Sequence, residues 1–190
     1  MPFLRWAGGK RWLARIIGPL LRKQLKGQYI EPFLGAGAMF FAMTPERAVL
    51  SDINPELINS FQIIKDKPKE LLKALRNLPV NEKTYYQIRL SKPKSTLQRA
   101  VRFIYLNRTC YGGIHRENRK GEFNTPYGGG SRTTRPLWEK NLVLEANNIL
   151  SSQYIQCKCQ DFAESMRLAK KGDVIYCDPT YRAVTRNQFD

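Results

Sequence analysis

Four short apolar runs, each followed by a polar or glycine-containing turn, constrain the fold of this chain more than any other feature. The runs cover residues 29–31, 48–52, 154–157 and 174–177. Runs of this length between turn residues are typical of buried strands. A helical pattern at 38–43 separates the first two, and Asn54 and Pro55 begin another helix as cap and first residue. This alternation predicts an α/β fold with a parallel, Rossmann-like sheet.

A segment without this alternation separates the second strand from the third. Helical patterns cover 10–26, 68–77, 83–90, 96–107, 136–150 and 161–170. The first of these has basic residues between apolar ones that fall near one face: Leu13, Ile16, Ile17, Leu20, Leu21 and Leu25. Residues 108–134 are rich in Gly, Arg, Asn, Thr and Tyr, which favours a loop or hairpin. We predict a catalytic domain of residues 1–54 and 136–190, with a mostly helical insert at 55–135 and a hairpin at about 108–130.

The charge balance is strongly basic. The chain carries 32 Lys and Arg against 16 Asp and Glu, a formal net charge of +16. Such an excess favours a polyanionic partner through phosphate contacts and counterion release. A basic protein without such a partner is the alternative.

Several classes are disfavoured by what the sequence lacks. No apolar run approaches the roughly 20 residues of a membrane helix, and the first residues lack the apolar segment of a signal peptide. We therefore expect a cytoplasmic protein without membrane contact. The four cysteines show neither CxxC spacing nor a zinc-type histidine partner, so we expect no metal site and no disulfide scaffold.

The first three predicted strands end in residues suited to binding. Glu31-Pro-Phe-Leu-Gly-Ala-Gly37 has small residues that let the backbone approach a ligand. Asp52 could hold ribose hydroxyls or serve as a turn acid. Asp161 could accept a hydrogen bond from an amino group while Phe162 stacks on a ring, or Asp161 could cap the next helix. Ligands bind along this edge in open α/β sheets.

The fourth run ends in Asp178-Pro179-Thr180-Tyr181. This turn offers an acceptor for an amino group, a fixed backbone and a flat aromatic face. Such a set suits an enzyme that acts on the exocyclic nitrogen of a base. Trp6-Ala-Gly-Gly-Lys10 adds an aromatic ring and a cation before the first helix, although a plain lead into the helix is the alternative.

These motifs resemble those of the Dam-type DNA adenine-N6 methyltransferases, the alpha group of the D12 class. The similar segments are Trp6–Lys10, Glu31–Gly37, Ser51–Asn54 and Asp178–Tyr181, together with Asn107–Tyr111, Lys120–Asn124 and Pro126–Gly128, which resemble the family's target-recognition hairpin. They follow the family's order over nearly the whole chain. The resemblance implies a site-specific enzyme that transfers a methyl group from S-adenosylmethionine to adenine N6 in double-stranded DNA. Base flipping and a GATC-like site are also implied.

The resemblance implies roles for individual residues. Asp178 and the Pro179 carbonyl would accept hydrogen bonds from the target amino group, and Tyr181 would stack on the flipped base. The donor would be bound by Trp6, Gly8, Lys10, Glu31, Phe33, Gly35, Gly37, Asp52, Asp161, Phe162 and Asp178. In that set Glu31 to Gly37 surround the methionine end, Asp52 binds the ribose, and Asp161 with Phe162 holds the donor's adenine.

The hairpin would read the DNA. The residues expected at DNA are Lys10, Arg108, Tyr111, Ile114, Arg116, Lys120, Asn124 and Arg132. Arg116 is expected to read a base, because bidentate arginine to guanine is the commonest specific contact. Tyr111 and Ile114 are expected to fill the gap left by the flipped base. A solvated loop is the alternative for any single one of these charges.

Two features depart from the family pattern. Thr180 stands where the family has a second proline, so we expect a looser turn. Asp178, Pro179 and Tyr181 are present, so we expect their contacts to be kept. The chain stops at Asp190, whereas the family continues for several more strands and helices. We therefore expect a C-terminally truncated chain whose fourth strand lies at an unpaired edge and whose activity alone is weak or absent.

Other functions remain open at this point. A methyltransferase acting on RNA or on a protein glutamine would need the same acceptors as one acting on adenine. A DNA-binding remnant that no longer methylates is a second alternative. A dinucleotide-dependent oxidoreductase is disfavoured, because Phe40 stands where that fingerprint has glycine. We expect a monomer, and a restriction endonuclease partner is left open.

Overall fold

The fold is built on a parallel sheet. The structure is a computed structural model that describes residues 2–6, 9–118, 120–129, 138 and 140–179. Its strands are β1 (Tyr29–Glu31), β2 (Ala48–Asp52), β3 (Ile155–Cys159) and β4 (Val174–Ile175), in the order β3-β2-β1-β4 with every pair parallel. The predicted α/β fold with a parallel sheet is confirmed. β3 extends two residues beyond its predicted end, and β4 is two residues shorter than predicted.

Helices occupy nearly all the predicted positions. They are α1 (Arg11–Gln24), α2 (Ala38–Met43), α3 (Pro55–Asp66), α4 (Pro68–Arg76), α5 (Glu82–Leu90), α6 (Thr96–Thr109), α7 (Lys140–Leu150) and α8 (Phe162–Met166), with a short 3₁₀ turn at Tyr111–Gly113. α3 begins as predicted, because the Asn54 side chain accepts hydrogen bonds from the N–H groups of Glu56 and Leu57 at 3.0 and 3.1 Å. No described helix is long and apolar enough to span a membrane.

α1 packs through two buried small residues and through part of its apolar face. Ala14 and Gly18 are buried, and a Cβ atom on Gly18 would lie 2.9 Å from the Ala42 Cβ of α2. Of the apolar residues near one face, Ile17 and Leu21 are partly buried against the core, whereas Ile16 and Leu20 are 60% and 57% exposed. The backbone of α1 therefore approaches α2 closely at Gly18, and only part of its apolar face is covered.

The core runs continuously from the sheet into the predicted insert. Phe61 of α3 is fully buried and packs edge-on against Phe3, with ring centroids 4.9 Å apart. α3 contacts β2 and β3 on one side and α6 on another. Further along, the buried hydroxyl of Tyr85 donates to the Thr125 carbonyl at 2.7 Å, which ties the hairpin to α5. The domain boundary at residue 55 stays a prediction.

The predicted hairpin is a loose antiparallel ladder within residues 108–118 and 120–129. Two isolated bridges pair Cys110 with Tyr127 and Glu117 with Phe123. The backbone N–H of Asn124 also donates to the Arg116 carbonyl at 2.9 Å. These contacts hold the hairpin at the end of α6, next to the N-terminal segment.

Candidate functional site

A cleft of about 470 Å³ opens at the carboxyl ends of the strands. Its volume lies in the range of about 300 to 1,000 Å³ that is usual for small-molecule sites. The predicted residues that line it are Trp6, Lys10, Glu31, Phe33, Gly35, Asp52, Asp161, Phe162, Asp178 and Pro179. Residues from all four strand ends therefore meet in one place, although they are up to about 170 positions apart in sequence.

The glycine turn after β1 is held close to Trp6. Gly35 has a φ of +48°, and a Cβ atom there would lie 2.8 Å from the Trp6 ring. Gly37 is outside the cleft lining: it precedes α2 with a φ of +68°, and its added Cβ would lie 3.3 Å from Phe61. Gly37 thus shapes the turn against the core. Its predicted contact with a donor stays a prediction.

Asp52 connects two turns at the cleft. Its Oδ2 accepts a hydrogen bond from the Gly35 N–H at 3.1 Å, and its Oδ1 accepts one from the Asn54 N–H at 3.0 Å. Asp52 is therefore a turn acid, which was the alternative role considered for it. A carboxylate has about four lone-pair sites, so two hydrogen bonds leave acceptor capacity for a ligand hydroxyl.

Glu31 is the most strongly perturbed carboxyl of the cleft. It is buried, and its Oε2 accepts hydrogen bonds from the Tyr29 hydroxyl at 2.7 Å and from the Phe40 N–H at 3.1 Å. Burial raises the pKa of Glu31 to about 8, and the nearby Asp178 adds to the rise, whereas the two hydrogen bonds oppose it. Glu31 is thus a neutral acid near pH 7, about one unit below that pKa.

Lys10 and Asp178 form an ion pair inside the cleft. Their side chains are partly buried, and the pair joins the segment before α1 to the segment after β4. The acceptor expected to face a target amino group is therefore engaged by an ammonium group. Pro179 lies beside it in the cleft wall. The predicted site residues Gly8 and Tyr181, and also Thr180, lie outside the described residues.

Two phenylalanines form a stacked pair at the far end of the cleft. The rings of Phe33 and Phe162 have centroids 5.4 Å apart and an interplanar angle of 25°. Asp161 caps α8 by accepting the Ala163 N–H at 2.8 Å, which was the alternative role considered for it. It also lines the cleft, so both roles are compatible. A flat ligand ring would find an aromatic face and a carboxylate together here.

Several cleft residues were missed by reasoning from the sequence. Ile53, Gln160 and Tyr176 line the cleft, and Ile53 is 75% exposed. Ile53 directly follows Asp52 at the end of a predicted strand, and that position was a usable signal. Tyr29 could also have been found, because residues two apart on a strand share a face with each other.

His115 joins the hairpin to the cleft. Its ring stacks on Trp6 with centroids 5.6 Å apart and an interplanar angle of 15°. Its Nε2 lies 2.9 Å from Glu117 Oε1. Trp6 is therefore held between the Gly35 turn and the hairpin, so the two predicted binding surfaces share one aromatic contact. No feature of the sequence indicated this stack.

The hairpin presents a prearranged arginine. Arg116 is exposed, and its Nε donates to Asn124 Oδ1 at 2.8 Å across the hairpin. Two apolar side chains, Tyr111 and Ile114, are 54% and 43% exposed next to it. Lys120 is exposed at the hairpin tip. The hairpin residues expected to read and open DNA are therefore accessible to a partner, and their DNA contacts stay predictions.

The remaining two predicted DNA contacts have different outcomes. Arg108 is half-buried, and its guanidinium donates to the Phe3 carbonyl at 3.4 Å beside a small apolar cavity. Arg108 thus helps to hold the N-terminal segment in place. Its contact with DNA stays a prediction. Arg132 lies outside the described residues. In the part of the chain that the structure describes, no three His, Cys, Asp or Glu side chains cluster as metal ligands would.

Comparisons with known proteins agree with this arrangement. The model of the D12 class N6 adenine-specific DNA methyltransferase family matches residues 6–190. The chain is 36% identical over 189 residues to the type II methyltransferase M1.LlaDCHI of Lactococcus lactis subsp. cremoris, covering 95% of this chain and 65% of that protein. It is 38% identical over 187 residues to the DNA adenine methylase of Escherichia coli (strain K12), covering 94% of this chain and 64% of that protein. The chain thus spans slightly less than two thirds of these relatives.

Proposed function

This chain belongs to the D12 class N6 adenine-specific DNA methyltransferase family, and from that membership we propose that it transfers a methyl group from S-adenosylmethionine to N6 of adenine in duplex DNA. The observation that carries this proposal is the cleft, in which acceptor carboxylates from separate strand ends meet a stacked pair of phenylalanines. A GATC-like target, base flipping and the limits of the recognition insert at 55–135 are parts of the same proposal.

The donor would be held by groups already positioned along the cleft. Phe162 and Asp161 would bind the adenine ring, Asp52 the ribose, and Glu31 the methionine end. Trp6, Gly8, Lys10, Phe33, Gly35, Gly37 and Asp178 complete the proposed donor set. The cleft fits such a ligand because an aromatic face, a carboxylate with spare acceptor capacity and a glycine turn follow one another along it. When bound, S-adenosylmethionine supplies an electrophilic methyl group.

Asp178 and Pro179 would prepare the target nitrogen. The N6 lone pair of adenine is delocalised into the ring, so the amino group is a poor nucleophile. Acceptors on its two hydrogens favour a tetrahedral nitrogen and stabilise the positive charge that develops there. Lys10 pairs with Oδ1 of Asp178 in the structure, which leaves the carboxylate with acceptor capacity for the target amino group. Tyr181 would stack on the base once it leaves the duplex.

Binding of the donor tests the first half of the proposal. We expect S-adenosylmethionine to bind the chain in calorimetric titrations. Phe162→Ala should weaken binding by about 5- to 160-fold, because stacking of a base on an aromatic ring contributes roughly 1–3 kcal/mol. Tyr154→Ala is the matched control, since Tyr154 is a half-exposed aromatic residue that packs under Arg47 and does not line the cleft. Equal affinities for both variants would refute the stacking role.

Recognition of DNA tests the second half. We expect Arg116→Ala to relax sequence preference, with about 1–3 kcal/mol of discrimination lost at one base pair and much of the non-specific affinity kept. Asn124 holds the Arg116 side chain, so Asn124→Ala should show the same change to a smaller extent. Binding to duplexes that carry each single substitution of GATC would measure the effect.

The control for this experiment is Arg76→Ala, which removes an exposed cation from the end of α4. This variant should lower binding to every duplex alike, if it changes binding at all. If Arg116→Ala weakened all duplexes equally, the base-reading role would be wrong. Competition with RNA and with a glutamine-containing peptide would test the alternative substrates in the same assay.

The cellular setting belongs to the proposal as well. We infer a cytoplasmic enzyme that acts as a monomer. A restriction endonuclease partner in the same system is one setting that we propose for this chain. Protection of plasmid DNA from restriction enzymes, in cells that express the chain, would map the methylated site.

A further inference from the structure

One carboxyl of the cleft has an oxygen bound by the protein interior and another available to a ligand. Glu31 is only 2% exposed, yet it forms part of the cleft wall. Both of its hydrogen bonds, from the Tyr29 hydroxyl and the Phe40 N–H, go to Oε2. Among the described residues we find no donor to Oε1. The carboxyl is therefore anchored on one side and open toward the cleft on the other.

The groups around Glu31 come from four parts of the chain. Tyr29 is fully buried on β1, two residues earlier. Asp178 and Tyr176 approach from the segment after β4, and Lys10 reaches Asp178 from the segment before α1. α2 contributes only the backbone N–H of its third residue. Among these groups Lys10 is the cation, and it pairs with Asp178 and not with Glu31.

We propose that binding of the methyl donor is coupled to loss of a proton from Glu31, and that Tyr29 is a positioning residue that sets this coupling through its hydrogen bond. The inference rests on the proposed function, because it requires the methionine end of the donor to lie at Glu31. That end carries a sulfonium and an ammonium group. A cation beside a buried carboxyl favours the carboxylate, so the proton passes to solvent as the donor arrives.

The direction of the pH dependence follows from the state of Glu31 before binding. Burial raises the pKa of Glu31 to about 8, so below that pH most molecules hold the neutral acid. If the carboxylate is the form that binds, the apparent affinity should rise by up to about tenfold for each pH unit between about 6 and 8. Above that range the rise should end, because the carboxylate is already present.

Proton release can be measured directly. We would titrate S-adenosylmethionine into the 190-residue chain at about pH 7, in two buffers with different enthalpies of protonation. The difference in binding heat gives the number of protons released. The amino group of the donor also titrates near pH 8. Glu31→Gln corrects for this, because it keeps the shape of the neutral acid and cannot lose a proton. We expect the unsubstituted chain to release up to about one proton more than Glu31→Gln.

Tyr29→Phe tests the positioning role without changing the volume of the core. Removing the hydroxyl takes away a hydrogen bond that lowers the pKa of Glu31. The pH range over which the donor affinity rises should therefore move upward by about one pH unit. The affinity at about pH 7 should fall several-fold and recover at higher pH. Tyr105→Phe is the matched control, because this buried tyrosine donates to the Pro79 carbonyl far from the cleft.

The outcomes separate the two proposals. A shifted affinity profile in Tyr29→Phe, an unshifted one in Tyr105→Phe and a proton difference in Glu31→Gln would support the coupling. Donor binding with equal proton release in the unsubstituted chain and in Glu31→Gln would overturn the coupling and leave the proposed function in place. Absence of donor binding to the unsubstituted chain at every pH would overturn the proposed function itself. If Glu31→Gln does not fold, an unshifted profile in Tyr29→Phe still refutes the inference.

Discussion

Asp178→Ala should reduce methyl transfer to duplex DNA by a factor of about 10³ or more. The substitution removes the acceptor proposed to polarise the target amino group, and nothing in the described cleft wall can replace it at that position. Donor affinity should change by less than about tenfold, because Phe33, Phe162 and Asp52 remain. Transfer of a labelled methyl group, together with calorimetric titration of the donor, measures both quantities.

Two further variants make the Asp178 experiment specific. Asp178→Asn keeps a carbonyl acceptor but loses the charge that pairs with Lys10, so it should retain more transfer than Asp178→Ala. Asp66→Ala removes an exposed carboxylate at the end of α3 and should leave the rate unchanged. Loss of donor binding in parallel with loss of transfer would show that Asp178 acts on the donor and not on the target nitrogen.

Phe61→Ala should lower the free energy of unfolding by about 3–5 kcal/mol. Phe61 is fully buried, and its ring packs edge-on to Phe3 and stacks on Phe41 with centroids 4.9 and 6.2 Å away. Truncation would leave a cavity between α3, α2 and the N-terminal segment. Since small domains have only about 5–15 kcal/mol of stability, the loss is a large part of the total. Urea unfolding followed by circular dichroism would measure it.

The Phe61 variant also bears on the cleft. An added Cβ on Gly37 would meet the Phe61 ring at 3.3 Å, so this ring supports the turn that carries Gly35. Trp12→Ala is the control, because Trp12 is an exposed aromatic on α1 and its loss should change stability by about 0.5 kcal/mol or less. A change under about 1 kcal/mol for Phe61→Ala would show that the core collapses around the cavity.

Local sequence patterns were sufficient to predict the elements and the edge of the sheet that carries the site. Asn54 and Pro55 marked the start of α3 correctly, because a cap acts on N–H groups only a few residues away. The motifs after the four strands met as expected, since parallel strands place their carboxyl ends on one side. The exposure of Ile16 and Leu20 has a tertiary cause: spacing identifies an apolar face of a helix but not the neighbour that covers it.

The sequence by itself determined the parallel α/β order and which strand ends border the cleft, because both follow from short-range pattern and strand direction. Only the tertiary structure decided the partners of those residues: Lys10 with Asp178, Trp6 with His115, and Arg116 with Asn124. Such pairs join segments that meet only after the chain has packed. Their geometry, and with it the protonation of a carboxyl such as Glu31, depends on burial that no local pattern contains.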